Sequence, residues 1–128
     1  MTEGTEIEPS TIQAVRRFIE KVFFRYDCID AILFGSRARR THRPDSDADI
    51  AVLLRGRPGK FAEVKLEMAD IAYDVLLLET GIRIQPLPIW EEEWTHPENF
   101  DNPDLIDNIH REGISVCHWG SVAKREYR

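Results

Sequence analysis

Apolar residues recur at Ile12, Val15, Phe18, Ile19, Val22 and Phe23, the three-and-four spacing of one helix face. Ser10 precedes this stripe with Gln13 three residues on, which predicts a helix that starts at a Ser10 capping box. The pattern then changes. Ile29 to Phe34 (IDAILF) is a run of strand formers that stops against Gly35-Ser36. A short Arg-rich helical turn before Pro44 comes next, and Asp47 to Leu54 (DADIAVLL) reads as a second strand. Arg55 to Lys60 (RGRPGK) is a turn on composition. Phe61, Val64, Met68, Ile71, Ala72, Val75 and Leu76 mark a long amphipathic helix from Phe61 to Thr80, with Gly81 in the place of a C-terminal glycine. Ile82 to Ile89 (IRIQPLPI) alternates as a third strand, and its two prolines predict an edge position or a strand end. After the polar, aromatic stretch WEEEWTHPENF, Asn102 and Pro103 predict the N-cap and first residue of a last helix. That helix carries Leu105, Ile106 and Ile109, stops at Gly113, and is followed by the short apolar segment Ile114 to Val116. This order predicts an α/β (α+β) fold, a mixed sheet of three to four strands flanked by helices.

A chain of 128 residues has room for one domain. The expected division is an acidic N-terminal tail (1–9), a domain (10–116) and a basic C-terminal tail (117–128). Hydrophobic residues at 42% and charged residues at 31% exclude a disordered chain, a collagen and a disulfide scaffold. No apolar run is long enough to span a membrane, and the first residues lack the apolar core of a secretory signal. Cys28 and Cys117 stand far apart with no CxxC, which predicts reduced thiols and a cytoplasmic setting. His42, His96, His110 and His118 show no zinc-ligand spacing. A net charge of −6 argues against stable duplex DNA binding, which depends on phosphate neutralisation by Lys and Arg. That charge is uneven, because Arg37, Arg39, Arg40 and Arg43 are followed directly by Asp45, Asp47 and Asp49. A basic cluster beside an acidic one suits a site for a polyanion and a divalent cation, and on charge alone it equally suits a solvated loop.

The sharpest feature is Gly35-Ser36, then ten residues, then Asp47-x-Asp49. Gly35 ends a strand and permits a tight turn. Ser36 then lies at a helix start, where free N–H groups and the hydroxyl can meet phosphate oxygens. Asp47 and Asp49 are two apart on a strand, so both side chains leave one face. Two such carboxylates can hold Mg²⁺, which keeps water and phosphate oxygens as its other ligands. Carboxylates, metal and a phosphate cradle are the parts of phosphoryl or nucleotidyl transfer. An EF-hand counted from Asp45 fails, with Ile50 at its glycine position and Gly56 at its glutamate position. A Walker A loop would need Gly-Lys-Ser/Thr, which is absent here. A lone Asp-x-Asp is more often a capped turn, and the glycine-serine at a strand end reverses that preference. Arg37 and Arg43 are candidates for triphosphate contacts or for pairs with Asp45, and Arg39 for fixing the turn.

GSRARRTHRPDSDADIAVLL resembles the signature of the polymerase-β-like nucleotidyltransferase superfamily, GS-x-AR-G-x-x-x-x-x-SD-x-D, and most of all its minimal nucleotidyltransferase (MNT) branch. Gly35, Ser36, Ala38, Arg39, Ser46, Asp47, Asp49 and Ile50 carry the match, and the order of elements extends it over about residues 10 to 116. The resemblance implies NTP binding around Gly35, Ser36, Arg37, Arg39 and Ser46, Mg²⁺ on Asp47 and Asp49, and transfer of a nucleoside monophosphate with loss of pyrophosphate. There are two departures. Arg40 occupies the glycine position after the Ala-Arg pair. The third strand shows Arg83, Gln85 and Leu87 on the face opposite Ile82 and Ile84. Gln85 therefore stands where related enzymes commonly carry a third carboxylate, and an amide cannot act as a general base.

The predicted core consumes nearly the whole chain, so the acceptor is expected on another protein. Many MNT proteins are antitoxins paired with a helical HEPN ribonuclease toxin, which they neutralise by binding and, in some pairs, by adenylylating a toxin tyrosine. The resemblance thus implies an antitoxin that transfers AMP from ATP to a HEPN partner. Two alternatives stand beside it: an impaired module that neutralises a partner by binding only, and a free-standing enzyme for a small hydroxylated molecule, built as a homodimer. Tyr73 and Tyr127 are further candidate modification acceptors that nothing in the sequence selects.

Overall fold

The computed structural model describes residues 7–77 and 81–120. Its elements run α1 (Pro9–Arg25), β1 (Cys28–Phe34), α2 (Ser36–Arg39), β2 (Ala48–Leu54), α3 (Phe61–Val75), β3 (Ile84–Trp90), α4 (Glu91–Thr95), α5 (Pro103–Glu112) and β4 (Ile114–Ser115). The four strands form one mixed sheet in the order β3-β2-β1-β4. β1 runs antiparallel to β2 and β4, and β2 runs parallel to β3 across the α3 connection.

Strand alternation divides the core between the two sheet faces. On one face Ala31, Leu33, Ala48, Ile50, Val52 and Ile84 meet the apolar stripe of α1 (Ala14, Val15, Phe18, Ile19, Val22) and Met68, Ala72 and Val75 of α3. On the other, Ile32, Ala51, Leu53 and Ile89 meet Ile106 and Ile109 of α5. α5 opens as its sequence predicts, with the Asn102 side chain accepting from the Leu105 N–H at 3.3 Å and Pro103 in the first turn. The prolines of β3 also do as expected. β3 is an edge strand, and Lys65 Nζ of α3 donates to the Pro86 carbonyl at 2.8 Å. Prolines and a lysine are the usual means of keeping an edge from pairing with another strand.

Several boundaries differ from the sequence reading. α1 begins at Pro9 with Glu8 as N-cap, so Ser10 lies inside the first turn and makes no capping box. Proline at the first helical position favours this earlier start, since its ring already holds the helical φ. α3 ends at Val75, and the expected extension to Thr80 passes into residues outside those described. Gly81 has φ +73° and donates its N–H to the Leu76 carbonyl at 3.1 Å, as a C-terminal glycine does. β3 starts at Ile84 rather than Ile82. Trp90 and Trp94 both pack against the core clusters. Among the described residues no helix is long and apolar enough to cross a membrane.

Candidate functional site

The C-terminal end of β1 and the N-terminal ends of β2 and β3 come together at one end of the sheet. β1 stops at Phe34, directly across from Asp49. Gly35 then turns the chain with φ +78°, a conformation that favours glycine. A Cβ at Gly35 would also overlap the Asp49 carboxylate. The first residue of the motif is therefore glycine for two reasons, backbone conformation and room for the acid. Ser36 opens α2, which is a single turn of four residues. So short a helix contributes N–H groups rather than a large macrodipole.

Arg37 is 2% exposed and saturated. Its Nε donates to the Ser46 carbonyl at 3.0 Å, and Nη2 donates to Ser46 and Pro44 carbonyls at 2.9 and 3.2 Å. Nη1 donates to Glu8 Oε1 at 3.0 Å and Thr11 Oγ1 at 2.8 Å. The guanidinium carries five N–H donors, and these bonds engage them all. The expectation that Arg37 reaches a nucleotide meets a different placement, because no donor is left for a phosphate. It clamps the start of α1 to the loop that presents Asp47. Ser46 belongs to the same clamp, with its N–H bonded to the Arg43 carbonyl at 3.0 Å and its Oγ accepting from the Arg43 N–H at 2.9 Å. Glu8, the N-cap of α1, also meets His42 Nε2 at 3.2 Å. The Arg37 partners Glu8 and Thr11 lie more than twenty residues away in the chain, so no local signal reveals them.

Arg40 has φ +63°, in the left-handed region. The Thr41 N–H returns to the Ser36 carbonyl at 2.9 Å across it. The glycine expected at this position is thus a conformational requirement, which arginine meets with strain of about 1–2 kcal/mol. Arg40 and Arg39 are both exposed. Arg39 pairs with Glu112 of α5 at 3.2 Å.

Asp47 immediately precedes β2 and Asp49 lies within it. Gln85 is the register partner of Asp49 on β3 and donates Nε2–H to Asp47 Oδ2 at 3.2 Å. The amide therefore stands against the acid pair, as the alternation of β3 predicts. Burial, and then the charge of Asp47, push Asp49 above its ordinary carboxyl value, against the opposing pull of Arg39 and Lys65. A carboxylate raised by burial and by a second carboxylate marks a place where a cation is favoured. Among the described residues no group of three His, Cys, Asp and Glu side chains could hold a metal. Two carboxylates beside an amide suit Mg²⁺, which takes few protein ligands and keeps its water and phosphate oxygens. They do not suit a closed zinc site.

Two adjoining clefts open beside this group. One, of about 270 Å³, is lined by Asp45, Ser46, Asp47, Leu76 and Arg83. The other, of about 330 Å³, is lined by Tyr73, Leu76, Arg83, Gln85 and Pro86. Arg83 and Leu76 are common to both. Arg83 was legible as a neighbour of Gln85, two residues back on the same strand face, whereas Tyr73 comes from α3 and only packing places it here. Larger depressions of about 480 and 520 Å³ lie along the outer side of α1 and hold none of these residues.

Comparison with known proteins agrees with this geometry. Residues 18–91 match the family model described as Polymerase beta, Nucleotidyltransferase. A putative nucleotidyltransferase from Sulfolobus solfataricus superimposes with a TM-score of 0.54 at 15% identity, covering 83% of this chain and 81% of that one. At that identity the likeness speaks for the fold. No curated protein sequence matches the chain. The matched span contains Gly35, Ser36, Asp47, Asp49 and Gln85 and covers more than half of the chain, which therefore belongs to the polymerase β nucleotidyltransferase family.

Proposed function

We propose that the protein is a minimal nucleotidyltransferase that transfers AMP from ATP, with Mg²⁺, to a HEPN-type toxin and serves as its antitoxin. The observation that carries the transferase reading is the convergence of the Gly35 turn, Asp47 and Asp49 at one end of the sheet, with the Gly35 backbone against the Asp49 carboxylate. The Ser36 N–H and hydroxyl would bind phosphate oxygens of the triphosphate. Arg39 adds a cation beside them, and its field already acts on Asp49. Asp47 and Asp49 would hold Mg²⁺, which when bound neutralises charge on the phosphate oxygens. The Arg37 clamp holds the loop before Asp47 in place, so this half of the site is organised before substrate arrives. The carboxylates and Gln85 lie at an open end of the sheet, beside clefts of about 270 and 330 Å³. An open site of this kind suits an acceptor supplied by another chain.

Gln85 favours a second reading, a module that masks its partner without chemistry, because an amide on Asp47 replaces the carboxylate expected there. One experiment separates the two. The chain is co-expressed with its genomic neighbour, and the intact mass of that neighbour is recorded with wild type and with Asp47→Asn. A nucleoside monophosphate increment with wild type only supports transfer and names the acceptor. Co-purification without any increment supports masking.

A further inference from the structure

Alternation puts Asp49 with Ala51 and Leu53, and Gln85 with Leu87 and Ile89, on the sheet face that α5 covers. One charged side chain of α5 reaches this end of the sheet. Glu112, the last residue of the helix, meets Arg39 Nη1 at 3.2 Å. Two observations fix where it stands. Ile114 and Ser115 pair with Leu33 and Ile32, so the turn from α5 into β4 lies beside the end of β1, where Phe34 is across from Asp49. Gly113 makes that turn in close contact, since an added Cβ would overlap the Ile32 side chain and the Ile109 carbonyl.

Local stability does not account for Glu112. A carboxylate at the last residue of a helix faces the negative end of the macrodipole. Docking of α5 does not require it either. Ile106 and Ile109 are buried against the sheet, whereas the pair with Arg39 is half-exposed, and exposed pairs contribute little to folding. What the pair does is hold a guanidinium. An arginine side chain is rich in rotamers, and a carboxylate on one nitrogen narrows that choice. Among the described residues only Nη1 is engaged, so Nε and Nη2 still have hydrogens to give. Burial and Asp47 push Asp49 up, and the Arg39 charge acts against them. Arg37 is the contrast, with its donors spent within the chain.

We infer that Glu112 is a positioning residue for Arg39, holding the guanidinium by one nitrogen beside the end of β1 and leaving the others for the oxygens of a nucleoside triphosphate. The inference rests on the transferase reading above, in which Arg39 stands beside the triphosphate. Glu112 lies outside the matched span 18–91, so the family match assigns it nothing. The sign of its effect is distinctive. A carboxylate that acted only through its own charge would repel a triphosphate, and its removal would tighten binding. A carboxylate that acts through Arg39 does the opposite.

The test uses the full chain, titrated in MgCl₂ with ATP, GTP, CTP and UTP in turn and followed by calorimetry. With the nucleotide that wild type binds best, Glu112→Ala is expected to raise Kd about two- to fivefold, the range of an exposed ion pair. Its melting temperature should equal or exceed that of wild type, because the helix loses a charge at its unfavourable end. In an Arg39→Ala background the same substitution should no longer weaken binding, since the group it positions is gone. Equal or tighter binding by Glu112→Ala overturns the inference and leaves the transferase reading intact. The same weakening with and without Arg39 overturns it too, because Glu112 would then act on something else. A wild-type chain that binds none of the four nucleotides removes both the inference and the reading beneath it.

Discussion

The two sides of the carboxylate pair are built on different principles. On the β1 side, Gly35 touches Asp49, Arg37 is buried with every donor engaged, and the loop to Asp47 is tied to α1 through Glu8 and Thr11. On the β3 side, Gln85 makes a single exposed bond, Arg83 and Tyr73 line open clefts, and the strand is an edge. One side is held rigid by contacts within the chain, and the other is left to be completed. A rigid half suits a triphosphate, whose oxygens are the same in every substrate. An open half suits an acceptor that arrives from elsewhere. Pre-organised dipoles are most useful where charge develops on a group of constant shape.

This contrast can be broken most severely at Asp47. Asp47→Asn is expected to lower nucleotidyl transfer by about 10²–10³-fold with the fold retained, measured by label transfer beside circular dichroism. Next comes the rigid half itself. Arg37→Met leaves the Ser46 and Pro44 carbonyls and Glu8 without their donor, and should cost about 3 kcal/mol in urea unfolding. Equal stability of variant and wild type would show that the clamp is not what holds the loop.

The open half sharpens the comparison in the other direction. Gln85→Glu restores a carboxylate beside the pair and should raise transfer by about 10²-fold, at the low end of general-base effects. If Gln85→Glu leaves transfer at background, the masking reading gains. A smaller effect is expected at the turn. Arg40→Gly relieves about 1–2 kcal/mol of left-handed strain and adds back about 0.5–1 kcal/mol of unfolded-chain entropy, for a net stabilisation near 0.5–1 kcal/mol seen as a higher Tm.

The smallest effect concerns pH. Asp49 is pushed above its ordinary value by burial and then by Asp47, so its protonated form is favoured by folding. Its contribution is fully present below the ordinary value of 3.8 and is lost as pH rises through the raised value. In metal-free buffer, Asp49→Asn should therefore be slightly more stable than wild type at neutral pH, with the difference fading in acid. Mg²⁺ should reverse that order by stabilising wild type alone, and thermal melts across pH with and without MgCl₂ check both signs.

Much of this protein is local and was readable as such. Strand and helix periods, the Asn102-Pro103 start, the C-terminal Gly81 and the edge prolines depend on neighbours in sequence, and each element formed with its boundary moved by a few residues at most where it is described. The Gly-Ser and Asp-x-Asp spacing placed the acids, and alternation along the third strand put Gln85 opposite them. Other features have no local signal. Ser10 and Gln13 compose a plausible capping box, but Pro9 sets an earlier start and Glu8 takes the N-cap.

Arg37 marks the limit most clearly. In sequence it is one arginine among four and as good a phosphate ligand as any. In the fold it is buried, because α1 and the loop before Asp47 close over it and supply acceptors from positions 8, 11, 44 and 46. Arg83 and Tyr73 meet for the converse reason, since α3 crosses to the parallel strand and lays its flank beside the edge. The sequence by itself determined the elements, the acid pair and the family signature, since these rest on spacing along the chain. The tertiary structure alone decided which arginine is structural and which residues line the clefts beside the acids, since burial and partners depend on chain segments brought together from a distance.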